Sequence, residues 1–146
     1  MFFDTSDLKD QHIYLKCVKT VKANKEKQYV PAYHFEICLL DNTVIGKCDL
    51  RVGHNENTYI GGNIGYEIFE DYRGHHYALK ACYLLEKLAK KHDMNYLIIA
   101  CLPDNIASYK TIERFGGRLL AIKDVDEKFE LYQMGTKVVR IYRIDL

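Results

Sequence analysis

The sequence predicts an α/β domain built around a mixed, mainly antiparallel sheet. Its first half alternates apolar and polar residues, which is typical of half-buried strands. Its second half contains a strand, a helix and a further strand in succession, and such a crossover places the two strands parallel near the middle of the sheet. A chain of 146 residues is long enough to bury a core, and this length favours a single domain over residues 1–146.

The composition describes an ordinary globular protein, with 48% hydrophobic and 28% charged residues. The formal net charge of +1 provides no bulk field that would draw the chain to nucleic acid or to a membrane. No apolar run reaches the roughly 18 residues of a membrane span, and the amino terminus does not resemble a signal peptide. We therefore expect a cytoplasmic protein that binds neither nucleic acid nor a membrane, and leave monomer and homodimer open.

Three strands are predicted early in the chain. Residues 12–21, 31–40 and 43–52 each alternate between apolar and polar side chains. The charged residues 22–27 indicate a solvated loop. Asp41 and Asn42 favour a tight turn, so the second and third strands are predicted to form a β-hairpin.

Residues 53–62 are rich in Gly, Asn and His and are predicted to form a loop. Residues 63–69 form the next predicted strand. Its alternation divides the side chains between two faces, with Ile64, Tyr66 and Ile68 on one and Gly65, Glu67 and Phe69 on the other.

An amphipathic helix is predicted from residue 76 to 92, because its apolar residues recur at helical spacing. The continuous apolar run at 96–102 indicates a strand that is covered on both faces. A short helix at 106–115 ends at Gly116 and Gly117. The last two strands are predicted at 118–123 and 138–144, joined by a loop that contains several acids.

The cysteines are five in number, Cys17, Cys38, Cys48, Cys82 and Cys101. No two of them have the C-x-x-C spacing, and several lie in apolar runs. This pattern favours small buried side chains in a reducing compartment over a metal site or a disulfide framework.

The turn before the long helix has the features of an anion site. Gly74 lets the backbone turn tightly, and Ala78 leaves room for a ligand at the start of the helix. Backbone N–H groups from Gly74 to Leu79 would converge on a negative group such as a pyrophosphate. The same residues also suit an ordinary turn between a strand and a helix, so both interpretations remain open from this segment alone.

This turn resembles the pyrophosphate loop of the GNAT superfamily of N-acetyltransferases, which reads Gln/Arg-x-x-Gly-x-Gly/Ala. Arg73 and Ala78 match the two ends of that loop, and Gly74 and Tyr77 match common residues between them. His76 departs from the pattern, because it stands where the loop has its middle glycine.

A second motif of the superfamily, Asn-x-x-Ser/Ala followed by a short helix and Gly-Phe, resembles the segment that begins at Asn105. Asn105, Ser108 and Gly116 match this motif, while Gly117 replaces the aromatic residue. In order and spacing, the resemblance covers residues 44–120, and it is greatest to the ribosomal-protein-type branch.

The resemblance implies acetyl-coenzyme A as the cosubstrate and no metal. In the superfamily the strands that correspond to 63–69 and 96–102 splay apart between flanking helices. The pantetheine arm enters the gap, where its amides pair with backbone near residues 66–68. The implied cofactor-binding residues are Tyr66, Ile68, Arg73, Gly74, His75, His76, Tyr77, Ala78, Leu79 and Asn105. Asn105 also suits the N-cap of the helix that follows it.

Direct attack of an amine on the thioester needs a base and donors for the developing oxyanion. Glu67 is the first candidate for the base, since the resemblance places it on the splayed strand beside the thioester. A strand carboxylate that faces solvent or pairs with a lysine is the alternative. His54 is the second candidate, and a surface histidine is its alternative.

Many members of the superfamily carry a tyrosine seven residues after the motif asparagine, as the acid for the departing thiolate. That position is Ile112 in this chain, so the role is vacant. Ser108 is the candidate to fill it, as in the ribosomal-protein-type branch, unless it only begins a helix. Tyr109 is adjacent but lies on a different helical face.

The function implied by the resemblance is N-acetyl transfer from acetyl-coenzyme A to a small-molecule or peptide amine. Residues 53–62 and the acid-rich residues 124–135 are expected to shape the amine pocket. The alternative is a non-catalytic domain that binds or senses acyl-coenzyme A. A nucleotide-binding module is a third interpretation, although the chain lacks both the Gly-x-x-x-x-Gly-Lys-Ser/Thr and the Gly-x-Gly-x-x-Gly motifs.

Overall fold

The computed structural model describes every residue from Met1 to Leu146 and contains seven strands and four helices. The strands are β1 (Ile13–Val21), β2 (Ala32–Leu39), β3 (Val44–Arg51), β4 (Ile64–Ile68), β5 (Tyr96–Cys101), β6 (Arg118–Asp124) and β7 (Val138–Asp145). The helices are α1 (Glu56–Gly61), α2 (Tyr77–Lys91), α3 (Ile106–Arg114) and α4 (Glu130–Gln133), and a 3₁₀ turn covers Glu70–Tyr72. None of the helices combines the length and the apolarity needed to cross a membrane.

The strands form two antiparallel sheets, one in the order β1-β2-β3-β4 and the other in the order β5-β7-β6. Helix α2 crosses from β4 to β5, but these two strands share no ladder of hydrogen bonds. Asn63, just before β4, bonds to Ile98 of β5, and Tyr66 further along β4 reaches Ser108 beyond the end of β5. The two strands therefore run in the same direction and splay apart, which confirms the predicted fold.

The main core lies between α2 and one face of the four-stranded sheet, and it extends onto β5 and β7. The apolar stripe predicted for the long helix is confirmed, because its buried residues are Ala81, Cys82, Leu84, Leu85, Leu88 and Ala89. A smaller core lies on the opposite face of the β5–β7–β6 sheet, where Ile60 of α1 packs with Ile98 and Ile141. The two cores place α1 and α2 on opposite sides of the protein.

The face of the four-stranded sheet that points away from α2 carries polar side chains, and we refer to it as the open face. One row of four charged residues crosses it in register, from Lys16 through Glu36 and Lys47 to Glu67. A shallow concavity of about 410 Å³ lies in this face. The concavity remains accessible from solvent along β3 and β4.

Residues 53–62 are not the loop that the sequence predicts, since they contain α1. A reciprocal pair of hydrogen bonds starts this helix: the Thr58 N–H donates to Asn55 Oδ1 at 3.0 Å, and the Asn55 N–H donates to Thr58 Oγ1 at 2.9 Å. This is a capping box with Thr in the position that usually holds Glu or Gln, so the pattern was missed. The loop predicted after β6 likewise contains a short helix, α4.

Asn63 joins the two sheets where the splay begins, and its side chain is fully buried. Its N–H donates to the Ile98 carbonyl at 2.6 Å, and its Oδ1 accepts from the Ile98 N–H at 2.8 Å. Its Nδ2 donates to the carbonyls of Arg51, at 3.0 Å, and Gly53, at 2.7 Å. One asparagine therefore supplies the pairing that a ladder between β4 and β5 would otherwise provide.

Asn63→Ala should destabilise the protein by about 3–5 kcal/mol, because it leaves two partly buried carbonyls and one buried N–H without a partner, each at a cost of about 1–3 kcal/mol. Urea denaturation measures this loss of unfolding free energy. Asn57→Ala is the matched control, since Asn57 Nδ2 also donates to two carbonyls, but these hydrogen bonds are exposed to solvent. The control should lose less than about 1 kcal/mol. Equal, small losses in both variants would show that Asn63 does not hold the sheets together.

Candidate functional site

The gap between β4 and β5 opens beyond Asn63 and exposes one edge of β4. Hydrogen bonds to β3 from Asn63 and Phe69 fix the alternation of this strand. The same alternation directs the backbone groups of Tyr66 and Ile68 into the gap and those of Glu67 toward β3. Of the three residues predicted to pair with a ligand through their backbone, two therefore have the orientation that this pairing needs.

Arg73 connects this strand edge to the turn that precedes α2. Its Nε donates to the Ile68 carbonyl at 2.8 Å, so that carbonyl is already occupied. Gly74 follows with φ of +90°, a backbone conformation that residues other than glycine rarely adopt. Because Arg73 is tied to β4 and Gly74 turns sharply, the chain enters α2 directly beside the gap.

The start of α2 presents a run of free backbone donors. None of the N–H groups from Gly74 through Leu79 donates a hydrogen bond within the chain, and the first that does is the N–H of Lys80, to His76. The helix dipole adds partial positive charge at the same place. This arrangement has the donors and the field that an anion such as a pyrophosphate needs, and the residues are those singled out in the sequence.

His76 immediately precedes α2 in the left-handed conformation, with φ of +60° and ψ of +25°. A glycine, which the superfamily loop has at this place, adopts such a conformation without the cost that a side chain brings. The imidazole lies against Arg114 of α3, with Nη1 of the guanidinium 3.2 Å from each ring nitrogen. The neighbouring His75 is exposed, and its ring lies 5.5 Å from that of Tyr77.

Asn105 and Ser108 lie in the first turn of α3, beyond the end of β5. Asn105 Oδ1 accepts from the Ser108 N–H at 3.1 Å, which confirms the N-cap interpretation. Ser108 Oγ lies 3.0 Å from the hydroxyl oxygen of Tyr66. Burial raises the pKa of Tyr66 above its ordinary value, so its hydroxyl stays protonated at neutral pH.

The contact between Tyr66 and Ser108 was not predicted. The alternation along the strand does indicate that the Tyr66 side chain points toward the core. Its partner lies 42 residues further along the chain, however, and only the crossover through α2 brings the two together.

The two departures near the end of α3 have one explanation. Ile112, in the position of the missing tyrosine, is fully buried in the core. A Cβ atom on Gly117 would lie 2.6 Å from Cγ2 of Ile112 and 2.8 Å from its carbonyl oxygen. The chain leaving α3 therefore packs directly on Ile112, which explains a glycine in place of the aromatic residue. Tyr109 points elsewhere, with its ring 4.3 Å from the guanidinium of Arg140.

Glu67 lies on the open face, on the opposite side of β4 from Tyr66. Its Oε1 is 3.7 Å from Nζ of Lys47, and the two side chains are 50% and 69% exposed. The lysine pairing considered from the sequence is thus present, but such an exposed pair contributes little to stability. A carboxylate this accessible is free to leave Lys47 for a ligand, so its role as a base stays a prediction.

The structure does not bring His54 together with Ser108. The His54 ring stacks on that of Tyr96 with 3.9 Å between centroids, and the Arg143 guanidinium covers Tyr96 at 4.0 Å. Burial lowers the pKa of His54. Tyr96 begins β5 and Ser108 follows its other end, which at about 3.3 Å per residue is roughly 17 Å away.

The two segments predicted to shape an amine pocket do meet. Lys128 Nζ contacts Glu56 Oε2 at 3.2 Å, and a cavity of about 570 Å³ lies between α1 and the residues that follow β6. Its lining combines acidic, basic and aromatic side chains, namely Glu56, Asp124 and Asp126, Lys123 and Lys128, and Tyr59 and Phe129. The cavity is on the side of α1, so it opens away from α2.

All five thiols are free. Cys38, Cys48 and Cys82 are buried, whereas Cys17 and Cys101 are half-buried. No group of three or more His, Cys, Asp or Glu side chains is placed to hold a metal ion.

A family model of the acetyltransferase (GNAT) domain matches residues 3–118. This match starts well before the region that the motifs indicate, and it includes the gap, the turn before α2 and the first turn of α3. No curated protein matches the chain.

Solved structures share the fold. A GNAT-family acetyltransferase from Bacillus anthracis is 24% identical, with a TM-score of 0.61 over 77% of this chain and 65% of its own. An acetyltransferase from Salmonella typhimurium that modifies the N-terminal serine of the ribosomal protein L7/L12 is 21% identical, with a TM-score of 0.60 over 79% and 64%. A ribosomal L7/L12 α-N-protein acetyltransferase in complex with coenzyme A is 15% identical, with a TM-score of 0.68 over 94% and 96%.

Identities below 25% show a common fold and no more. The chain spans 65% and 64% of the length of the Bacillus and Salmonella proteins, which is less than two thirds of each. The whole activity of those proteins is therefore not carried over to this chain by likeness alone.

His76→Gly should raise the free energy of unfolding by about 0.5–1 kcal/mol, because relief of a left-handed residue, about 1–2 kcal/mol, exceeds the entropic cost of glycine. Thermal melts should show a gain of about 1–4 °C. Gly74→Ala is the control with the opposite expected sign. A methyl group there meets nothing within 4 Å, so any loss of stability in this variant would come from the backbone conformation alone. Identical melting temperatures for the three proteins would mean that the turn does not hold this conformation in solution.

Proposed function

The chain belongs to the acetyltransferase (GNAT) family, and we propose that it transfers the acetyl group of acetyl-coenzyme A to a primary amine. The observation that carries this proposal is the run of free N–H groups from Gly74 to Leu79, placed beside the gap between β4 and β5. Coenzyme A has a pyrophosphate for the first feature and an extended amide-containing arm for the second. An ordinary turn between a strand and a helix has no need of both.

The cofactor is proposed to enter with its pyrophosphate on the start of α2 and its pantetheine arm along β4. The N–H and C=O of Tyr66 point into the gap and supply the strand-like pairing that the arm needs. The thioester then lies near Asn105 and Ser108, which begin α3 on the far side of the gap. The complex of a ribosomal L7/L12 acetyltransferase with coenzyme A supports a cofactor site in this fold.

The amine is proposed to reach the thioester from the side opposite α2. The open face of the four-stranded sheet and the cavity beside α1 both lie on that side, and they bring several carboxylates with them. Carboxylates attract a cationic amine before it loses its proton. Glu67 is the carboxylate of this group that lies on β4 itself, so it is the proposed base.

In the reaction the amine nitrogen forms a bond to the thioester carbon, and the C–S bond breaks with its electron pair on sulfur. The cationic amine first gives one proton to Glu67, directly or through water, and attacks as the neutral amine; the nitrogen loses its second proton to water as the tetrahedral intermediate collapses. Backbone N–H groups at the gap stabilise the oxyanion. The products are an amide and coenzyme A.

The acceptor class is proposed to be a small molecule or a peptide with a primary amine. The Salmonella enzyme of similar fold acts on the N-terminal serine of a ribosomal protein, which supports including protein amino termini. The test is a screen of amines and amino-terminal peptides in which acetylated product and free coenzyme A are both quantified by mass spectrometry. Binding of acetyl-coenzyme A without product would instead favour a sensing domain.

Acetyl-coenzyme A at a hundredfold excess over its Kd should stabilise the protein by about 2.7 kcal/mol, since it binds only the native state. Thermal melts should rise by about 5–10 °C. Ala78→Glu should remove most of this rise, because it places a negative charge among the free N–H groups that receive the pyrophosphate. An equal rise for the variant would place the pyrophosphate elsewhere, and no rise for either protein would contradict the cofactor.

Glu67→Gln should lower kcat by about 10²–10⁴-fold with little change in acetyl-coenzyme A affinity, because a general base contributes to turnover and not to cofactor binding. Steady-state kinetics with an amine from the screen measure both quantities. Glu36→Gln is the matched control, because Glu36 lies in the same charged row and also faces Lys47, but two strands away from the gap. Equal losses in the two variants would assign the effect to the charge of the open face and not to a base at Glu67.

A further inference from the structure

The hydroxyls of Tyr66 and Ser108 form a pair that spans the gap on the side of α2. Tyr66 Oη lies 3.0 Å from Ser108 Oγ and 3.2 Å from the Ser108 carbonyl oxygen. The Ser108 N–H is meanwhile held by Asn105 Oδ1 at 3.1 Å. Ser108 is therefore fixed from both ends, by a strand residue through its hydroxyl and by the helix cap through its backbone.

Proton counting limits what this pair can do, because each hydroxyl has a single proton to donate. When Tyr66 donates to Ser108 Oγ, the proton of Ser108 is free to point toward a third group. When Tyr66 donates to the Ser108 carbonyl oxygen instead, Ser108 can donate to Tyr66 Oη, and the serine proton is then used up inside the pair. A negative charge near Ser108 selects the first arrangement, since it attracts the serine proton and strengthens both hydrogen bonds of the chain.

We propose that Tyr66 is a positioning residue whose hydroxyl donates to Ser108 Oγ and so directs the Ser108 proton at the sulfur of the departing coenzyme A. This inference rests on the proposed acetyl transfer. As the C–S bond breaks, its electron pair stays on sulfur, and Ser108 donates a hydrogen bond to the thiolate. The thiolate takes its proton from water after it leaves the gap.

The pair stabilises the thiolate without protonating it. An ordinary tyrosine has a pKa near 10 and an ordinary thiol one near 8.5, so transfer from Tyr66 to sulfur would be unfavourable by about 30-fold even in water. Burial raises the pKa of Tyr66 and makes this proton transfer still less favourable. A fixed donor aimed at developing charge is nevertheless effective, and removing one typically lowers kcat by about 10²–10³-fold.

The test is a double-mutant cycle on kcat with Tyr66→Phe, Ser108→Ala and the two combined, using an amine from the screen. Ser108→Ala should lower kcat about 10²-fold and Tyr66→Phe about 10-fold. The combined variant should be no slower than Ser108→Ala, because Tyr66 acts only through the serine. The KM for acetyl-coenzyme A should stay within about twofold throughout. Tyr109→Phe, a hydroxyl deletion on another face of α3, is the control and should leave kcat unchanged.

Ser108→Thr keeps the hydroxyl and should therefore keep most of the activity and its dependence on Tyr66. Losses that multiply in the combined variant would overturn the proposal, since they would mean that the two hydroxyls act independently. A raised KM or a lower melting temperature at unchanged kcat would assign the pair a structural role instead. If the unaltered protein acetylates no amine, the proposed function itself fails, whereas normal turnover insensitive to Tyr66→Phe overturns only this inference.

Discussion

The structure depends on the way in which Asn63 joins two sheets at a single point. Its side-chain amide substitutes for a neighbouring strand. Oδ1 accepts from the Ile98 N–H, and Nδ2 donates to the carbonyls of Arg51 and Gly53. Because every polar atom of this buried residue is used, the junction needs no ladder beyond it. β4 and β5 can therefore separate immediately, and the gap is a consequence of how the sheets are joined.

The placement of the free donors at α2 follows from the same junction. β4 ends beside the open part of the gap, Arg73 returns to the Ile68 carbonyl, and Gly74 turns the chain into the helix. The positive end of α2 is thereby fixed at the mouth of the gap and cannot swing away without losing the Arg73 contact. Strand edge and helix terminus thus form one continuous surface of hydrogen-bond donors and acceptors.

Local patterns predicted most of the fold and the turn before α2, because alternation, helical spacing and glycine chemistry are properties of adjacent residues. They could not predict Asn63 as a junction or Tyr66 as the partner of Ser108, since these contacts join residues 35 and 42 positions apart. Local patterns failed at α1 for a different reason. Thr58 stands where a capping box usually has Glu or Gln, and the many polar residues around it favoured a loop. The failures at Asn63 and Tyr66 lie where tertiary contacts, and not local preference, determine the conformation.

The alternation of a single strand also separates the two halves of the proposed chemistry. Tyr66 and Glu67 are neighbours in sequence, yet one points toward α2 and the other toward the open face, because successive strand side chains alternate. The environment differs accordingly. On the α2 side burial raises the pKa of Tyr66 and keeps its hydroxyl able to donate, while on the open face the accessible carboxylate of Glu67 can accept. One step along β4 thus places a donor for the leaving group and an acceptor for the amine proton on opposite faces of the same strand.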